Sequence, residues 1–136
     1  MSEVQREKDE RIFKNREFAV FARRQRIGDA VLCRAVEDVR RGLVDADLGG
    51  GVIKQRIARP GAGKSGGFRT ILAFRVERHT FFIFGFAKNE RENIAPSDLR
   101  DLKALAKELF ALDAEQLEVT LSLGSLVEVI CDEEKL

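Results

Sequence analysis

Three segments between residues 52 and 86 decide the fold: VIKQRIA at Val52–Ala58, FRTILAFRV at Phe68–Val76 and TFFIFGF at Thr80–Phe86. Apolar and polar side chains alternate in the first two, which is the period of a strand with one face against a core. The third is apolar at almost every position, which is typical of a central strand buried on both faces. Four glycines predict a long hairpin loop after the first segment (Gly61, Gly63, Gly66 and Gly67), and Glu77–His79 predicts a second turn. Together the segments predict an antiparallel meander.

Upstream of the meander, the sequence predicts a short strand at Arg11–Lys14 and then two helices. Arg16–Arg26 and Ala30–Arg41 carry apolar residues at helical spacing. Gly28-Asp29 lies between them, where the glycine ends one helix and the carboxylate caps the next. Gly42 follows the second helix at the position that favours glycine. These residues therefore predict a helical hairpin.

Downstream of the meander, Pro96–Leu112 predicts an amphipathic helix that covers the sheet. Asp113 and Gln116 form a capping box for a helix that extends to Leu121, and Leu126–Ile130 predicts a last short strand. Helices that are segregated from a strand meander indicate an α+β fold. With 136 residues, 44% of them hydrophobic, we expect one domain over residues 1–136. Residues 1–10 are expected to be disordered and residues 96–136 to form a C-terminal helical region.

The net charge of +1 hides a strong asymmetry along the chain. Residues 52–91 carry nine basic side chains and two acidic ones, whereas residues 92–136 carry four basic and 11 acidic. A basic middle segment beside an acidic tail suggests a polyanionic partner. The alternative is a sheet face that carries cations for solubility, but such faces mix both signs of charge.

Other classes of protein are excluded by what the sequence lacks. No apolar run approaches the roughly 20 residues of a membrane helix, and the charged N-terminus is unlike a secretory signal. We therefore expect a cytoplasmic protein. Cys33 is expected in the core, and its spacing from Cys131 suggests neither zinc nor a disulfide scaffold. His79, the only histidine, is expected in a solvated turn, with a catalytic base as the alternative.

The segment PGAGKS at Pro60–Ser65 resembles a phosphate-binding loop but lacks two of its features. Ala58 occupies the position of the first required glycine, and the residues after Ser65 have the period of a strand. A phosphate loop needs a following helix, whose N-terminal amide groups hold the anion. We expect instead a glycine-rich hairpin loop that lies along an RNA backbone.

The candidate functional residues are the cations of the meander. Lys54 and Arg56 share one face of the first strand, and Arg69 lies on the adjoining strand. Further candidates for RNA binding or catalysis occupy the loop, the second strand and the segment after the third strand (Arg59, Lys64, Arg75, Lys88 and Arg91). Phe68, beside Arg69, is a candidate platform on which a base could stack. The density of cations favours an anionic ligand.

Three stretches resemble the RelE/ParE superfamily of type II toxins. They are GLVDADLGGG at Gly42–Gly51, IKQRIARPGAGKSGGFRT at Ile53–Thr70 and FGFAKNERENI at Phe84–Ile94. The resemblance spans about residues 11 to 130 and is closest to the RelE-like, HigB-type branch, with its GLVDADLGGG and RPGxGKSGG signatures. It implies a RelE-like fold, in agreement with the order of elements predicted above.

The resemblance also implies a function, namely ribosome-dependent cleavage of mRNA, held in check by a cognate antitoxin. In such toxins a basic sheet face grips mRNA in the ribosomal A site, and the RNA 2′-hydroxyl attacks the adjacent phosphate without a metal or other cofactor. By this resemblance, Arg56 and Arg69 would stabilise the charge on the phosphate and Lys54 would assist deprotonation of the hydroxyl. Lys88 or Arg91 would protonate or neutralise the leaving oxygen. The expected partners are the antitoxin, the ribosome and mRNA.

The chain departs from several of these relatives because it contains no tyrosine, the residue that they use near the C-terminus to orient or activate the nucleophile. A lysine that acts in its place needs a depressed pKa, and dense neighbouring cations are a reasonable cause of such a shift. Two alternatives to an mRNA endoribonuclease follow. One is a non-catalytic, ParE-like inhibitor of DNA gyrase, and the other is an RNA-binding relative that has lost cleavage.

Overall fold

The computed structural model describes residues 10–59, 63–87 and 93–131, apart from the side chains of residues 59 and 63–66. Within these residues the chain forms six strands and four helices. In chain order they are β1 (Ile12–Asn15), α1 (Arg16–Gln25), α2 (Asp29–Arg40), β2 (Ala46–Gly49), β3 (Val52–Arg59), β4 (Gly63–Ala73), β5 (Thr80–Ala87), α3 (Pro96–Phe110), α4 (Ala114–Ser122) and β6 (Leu126–Val129). The order confirms the predicted α+β class.

All six strands belong to one sheet, in the order β2-β3-β4-β5-β1-β6. The neighbours pair antiparallel except β1 and β5, which pair parallel. β5 lies between β4 and β1 with most of its side chains buried, which confirms the prediction of a central strand. A core covers each face of the sheet. α1 and α2 contribute to one core, and α3 and α4 contribute to the other.

The helix ends are fixed by local hydrogen bonds that the sequence signals. The Asn15 side chain accepts from the Phe18 amide at 2.8 Å and caps α1. Asp113 and Gln116 form the predicted capping box at the start of α4, with bonds of 2.8 and 2.9 Å. The two helical segments predicted at Arg16–Arg26 and Ala30–Arg41 correspond to α1 and α2 within one residue at each end.

The glycine run between β2 and β3 is required by both backbone geometry and packing. Gly49, Gly50 and Gly51 all have positive φ, at 91°, 64° and 81°. A Cβ on Gly51 would lie 2.7 Å from the Phe110 ring of α3, and the Lys103 side chain lies against the other two glycines. The run therefore lets the β2–β3 hairpin pass directly beneath α3.

The structure corrects both ends of one predicted strand and adds a strand that was not predicted. β4 begins at Gly63, so Gly63, Gly66 and Gly67 belong to a strand and the hairpin loop is shorter than the glycines predicted. β4 also ends at Ala73 rather than Val76. β2 was not predicted, because its four residues, ADLG, carry no alternation long enough to detect. The region from Pro96 contains β6 as well as helices, and the expectation for residues 1–9 lies outside the described residues.

The two cysteines form a disulfide, which the sequence did not predict. Cys33 on α2 and Cys131 after β6 are bonded, with a sequence separation of 98 and 5.7 Å between their Cα atoms. The Ile130 amide donates to the Asp29 carboxylate at 3.0 Å, so the end of β6 is already held against the start of α2. Tertiary packing, rather than a spacing that can be seen in the sequence, brings the thiols together. Cys33 does pack against the core as expected.

Candidate nucleic-acid interface

Strand register places three of the predicted cations on one face of the sheet. Arg56 lies directly opposite Arg69 in the β3–β4 pair, and Lys54 lies opposite Ile71. Ile71 belongs to the core beneath α3 and α4, so all three cations are on the face that these helices partly cover. Directly opposed side chains have Cβ atoms about 5 Å apart, and like charges in that position are destabilising. The arginine pair therefore costs stability unless an anion binds it.

Arg69 is the most unusual of the three cations because it is buried. Its side chain is 7% exposed, and its buried Nη1 atom has no hydrogen-bond partner among the described residues. Its neighbour on β5 is Phe86, which is also buried. A buried charged donor without an acceptor carries a penalty of several kcal/mol, which a phosphate oxygen would remove.

Arg56 is exposed, and a neighbouring loop fixes its backbone. The Arg56 amide donates to the Asp45 carboxylate. The buried Gln55 side chain donates to the Leu43 carbonyl at 2.8 Å and accepts from the Asp45 amide at 3.2 Å. Thr70 on β4 donates its hydroxyl to the Gln55 carbonyl at 2.8 Å. These polar contacts hold the strand pair that carries the two arginines.

Sequence reasoning did not single out Asp45, Gln55 or Thr70 as supports for the cations. One signal was present, since the alternation of β3 turns Gln55 toward the core, where an amide must find partners. Asp45 lies within GLVDADLGGG, so part of that motif ties a loop to the strand that bears Arg56.

The other predicted cations, apart from Arg75, lie beside the arginine pair, on the β3–β4 hairpin or outside the described residues. Lys54 is half-buried beside the arginine pair. Arg59 and Lys64 lie on the β3–β4 hairpin, where Arg59 pairs with Gly63, but their side chains are outside the described residues. Lys88 and Arg91 lie entirely outside them.

Arg75 lies beyond the end of β4, away from the arginine pair. Its guanidinium is stacked over the Phe110 ring of α3 at 4.8 Å. Arg78, in the turn before β5, also lies over this ring, at 5.9 Å, and donates to the Phe110 carbonyl at 2.5 Å. Both cations are thus occupied in holding the end of α3 against the meander.

Phe68 does not have the surroundings of a stacking platform. Its side chain is 2% exposed and packs in the core beneath α1 and α2, with an edge-to-face contact to Phe21 at 5.7 Å. Adjacent residues in a strand point to opposite faces, so Phe68 lies on the face opposite Arg69. Phe68 therefore lies outside the interface.

His79 is half-buried rather than solvated, which corrects the expectation for this residue. Its Nδ1 atom accepts from the Arg11 amide at 2.9 Å, and its ring contacts Phe13 edge-to-face at 5.4 Å. The contact ties the turn before β5 to the start of β1.

A separate ion-pair cluster joins Arg11, just before β1, to carboxylates of α4 and β6, and its arginine is fully paired. The Arg11 guanidinium donates two hydrogen bonds to Glu128, at 2.8 and 2.9 Å, and one to Glu118 at 3.1 Å. The hydrogen bond to Glu128 raises the pKa of Arg11, and the same bond lowers the pKa of Glu128. Arg69 has no comparable carboxylate contact among the described residues.

The described residues contain no group of three or more His, Cys, Asp or Glu side chains that could hold a metal ion. Of the helices in this part of the chain, none is long and apolar enough to cross a membrane.

The fold and the arginine pair define a small α+β protein whose sheet presents cations suited to phosphate groups. Comparison with protein families then gives its class. The family described as the RelE toxin of the RelE / RelB toxin-antitoxin system matches residues 10–129. The chain belongs to the RelE toxin family, and an antitoxin is therefore its expected partner. No curated protein matches the sequence significantly.

Proposed function

We propose that this toxin is a ribosome-dependent mRNA endoribonuclease of the HigB-type branch, which inhibits translation in the cytoplasm. The observation that carries the proposal is the Arg56–Arg69 pair with its buried, unpartnered Nη1 atom. Two arginines at directly opposed positions of neighbouring strands supply the charge and the hydrogen-bond donors to bind the oxygens of one phosphate. The arrangement suits a phosphodiester in a nucleic-acid strand.

The proposed reaction is the transfer of a phosphoryl group within the RNA. The 2′-oxygen attacks the adjacent phosphorus, the bond to the 5′-oxygen of the next nucleotide breaks, and a cyclic phosphate and a 5′-hydroxyl result. Arg56 and Arg69 stabilise the negative charge that builds on the phosphate oxygens, and positioning supplies much of the remaining rate. No metal or other cofactor takes part in this proposal.

Proton transfer completes the proposed step. Lys54, beside the pair, takes the proton of the 2′-hydroxyl. Lys88 or Arg91 donates a proton to the leaving 5′-oxygen or neutralises its charge. Arg59 and Lys64, on the hairpin next to the pair, bind the RNA backbone on either side. Arg75 is left out, because its guanidinium is stacked over Phe110.

A cell-free translation reaction tests the proposal directly. Primer extension on the message should show discrete cuts with the wild-type protein and none with the Lys54→Ala/Arg56→Ala/Arg69→Ala variant. Intact mRNA, together with loss of DNA supercoiling in a gyrase assay, would assign the protein to the ParE-like inhibitors. Intact mRNA with undiminished ribosome binding would assign it to RNA-binding relatives that have lost cleavage.

The salt dependence of binding gives a second test. If the pair binds phosphate, affinity for mRNA-programmed ribosomes should fall steeply as salt rises. Toxin binding releases condensed cations from the RNA, and this release is less favourable at high salt. Arg56→Gln should reduce the slope of log affinity against log salt by about 0.7–1. Arg41→Gln, an exposed cation after α2, is the matched control and should leave the slope unchanged. A wild-type affinity that is flat with salt would contradict phosphate binding.

A further inference from the structure

A groove runs between helix α1 and the edge of β5, next to the arginine pair. β1 pairs with β5 only from Thr80 to Phe82, and the chain then turns into α1 at Arg16. Beyond Phe82, helix α1 rather than a strand lies beside β5. The resulting groove has a volume of about 630 Å³ and is open to solvent. This volume is within the range of sites for small organic groups.

The lining of this α1–β5 groove combines aromatic rings with arginines. Phe84 and Phe21, both half-buried, contribute the rings, and Arg16 and Arg24 contribute exposed cations. Glu17 is the single carboxylate among the lining residues of the groove. Aromatic surfaces flanked by arginines are what proteins use to hold unstacked bases of single-stranded RNA, with stacking on the ring and charge on the phosphate.

The groove also lies close to the proposed catalytic face. Phe86, which lies opposite Arg69, is in ring contact with Phe84, with 6.0 Å between the ring centroids. One strand spacing and two residues along β5 put the Cα atoms of Arg69 and Phe84 about 8 Å apart. An RNA strand whose phosphate lies on the arginine pair therefore has a neighbouring base within reach of the groove.

We propose that the α1–β5 groove holds the unstacked base of a nucleotide next to the scissile phosphate. The base stacks on Phe84, and Arg24 contacts the RNA backbone. This inference rests on the proposed function, since it takes the RNA strand to lie across the Arg56–Arg69 pair. It makes Phe84 and Arg24 determinants of which nucleotide sequences bind well.

The test uses a fluorescent base analogue on the ribosome. Ribosomes are programmed with a message that carries 2-aminopurine beside a 2′-O-methylated nucleotide, which blocks attack at the adjacent phosphate. Stacking on Phe84 should quench the analogue when the full-length toxin binds. Phe84→Leu should abolish this quenching and weaken binding about five- to tenfold.

Arg24 provides a second variant with a close control. Arg24→Gln should weaken binding about threefold and reduce the salt slope by about 1. Arg23→Gln removes the adjacent exposed cation of the same helix, which does not line the groove, and should leave both quenching and affinity unchanged. Thermal unfolding of each variant checks that Phe84→Leu, which keeps an apolar side chain, remains folded.

The outcomes separate this inference from the function on which it rests. Wild-type cleavage with unchanged quenching and affinity in folded Phe84→Leu and Arg24→Gln would overturn the groove and leave the endoribonuclease intact. The same result together with weakened binding of an acidic antitoxin peptide would show that the groove serves a protein partner. A wild-type toxin that neither binds nor cuts the message would overturn both proposals.

Discussion

The arginines at the two ends of one sheet face differ in whether the protein supplies them with a partner. At the end that α3 covers, Arg75 and Arg78 lie over the Phe110 ring, and Arg78 also donates to a carbonyl. At the open end, Arg56 and Arg69 face each other across β3 and β4, and the buried Nη1 of Arg69 has no acceptor among the described residues. We refer to these regions as the covered end and the open end.

The difference teaches that the number of cations does not identify a binding site. All four arginines belong to the basic segment of the chain, and all four count equally toward its net charge. What distinguishes them is whether the protein itself supplies a partner. Arginines that stack on an aromatic ring stabilise the fold, whereas a buried arginine with an unpartnered donor costs stability, and a bound anion would offset that cost.

The largest effect should come from removing the buried arginine of the open end. Arg69→Gln should slow mRNA cleavage about 100-fold or more, because a preorganised donor to the developing phosphate charge is lost. It should leave the free energy of unfolding unchanged or raise it, since an unpaired buried charge disappears. The measurements are the rate of cut-product formation and urea unfolding.

Arg78→Gln is the matched change at the covered end. It should lower the free energy of unfolding by about 0.5–1 kcal/mol through loss of the contact with Phe110, with cleavage within about twofold of wild type. Equal losses of activity in the two variants would remove the distinction between the ends.

The disulfide separates stability from function in another way, because it lies on the opposite face from both ends. Reduction of Cys33–Cys131, or the Cys33→Ser/Cys131→Ser variant, should lower the free energy of unfolding by about 2–4 kcal/mol. RNA affinity at the open end should not change while the protein stays folded. Urea unfolding with and without a reductant measures the effect.

The double serine variant also serves as the control for reduction, since its stability should not respond to a reductant. A wild-type protein equally stable with and without the reductant would show that the bond does not form in solution. Disulfides are rare in reducing compartments, so the state of this bond in cells bears on the proposed cytoplasmic location.

Because the covered end is closely packed, adding a single methyl group there should lower the free energy of unfolding. Gly51→Ala should lower the free energy of unfolding by about 2–3 kcal/mol, because its positive φ disfavours a side chain and its Cβ would collide with the Phe110 ring. Gly42→Ala is a control, since its φ is +86° but a Cβ there would meet nothing within 4 Å. It should cost about 1–2 kcal/mol. If the two variants were equally stable, the packing of α3 on the glycine hairpin would contribute nothing.

Much of the open end could be predicted from the sequence, because strand alternation fixes which residues share a face. Lys54, Arg56 and Arg69 were placed correctly on this basis. The same rule argued against Phe68, since a residue beside Arg69 must point the other way. Its ring is in the opposite core, and the signal that excludes it was already present.

The covered end could not be predicted, because its partners are distant in sequence. By alternation, Arg75 is expected on the same sheet face as Arg69. Only the position of α3 shows that the Arg75 guanidinium stacks over Phe110. The disulfide and β2 could not be predicted for similar reasons. The disulfide depends on the packing of β6 near α2, and β2 depends on pairing with β3. The irregularity in the β4–β5 pairing, which sets where Phe84 lies, has no sequence signal that we can name.

A small effect is also expected at Arg11, which lies at neither end of this sheet face and is paired with carboxylates. The hydrogen bond from Arg11 lowers the pKa of Glu128 below its usual 4.5, so the folded protein favours the ionised carboxylate. The resulting stability is present above about pH 4.5 and is lost as pH falls through the lowered pKa. Because both side chains are about one-third exposed, we expect at most about 1 kcal/mol. Glu128→Gln should therefore be less stable than wild type at pH 7, with the gap in the free energy of unfolding closing toward pH 3. A gap for Glu128→Gln that persisted unchanged at low pH would mean that packing, rather than the ion pair, accounts for the loss, and Arg11 would then no longer serve as the satisfied reference for Arg69.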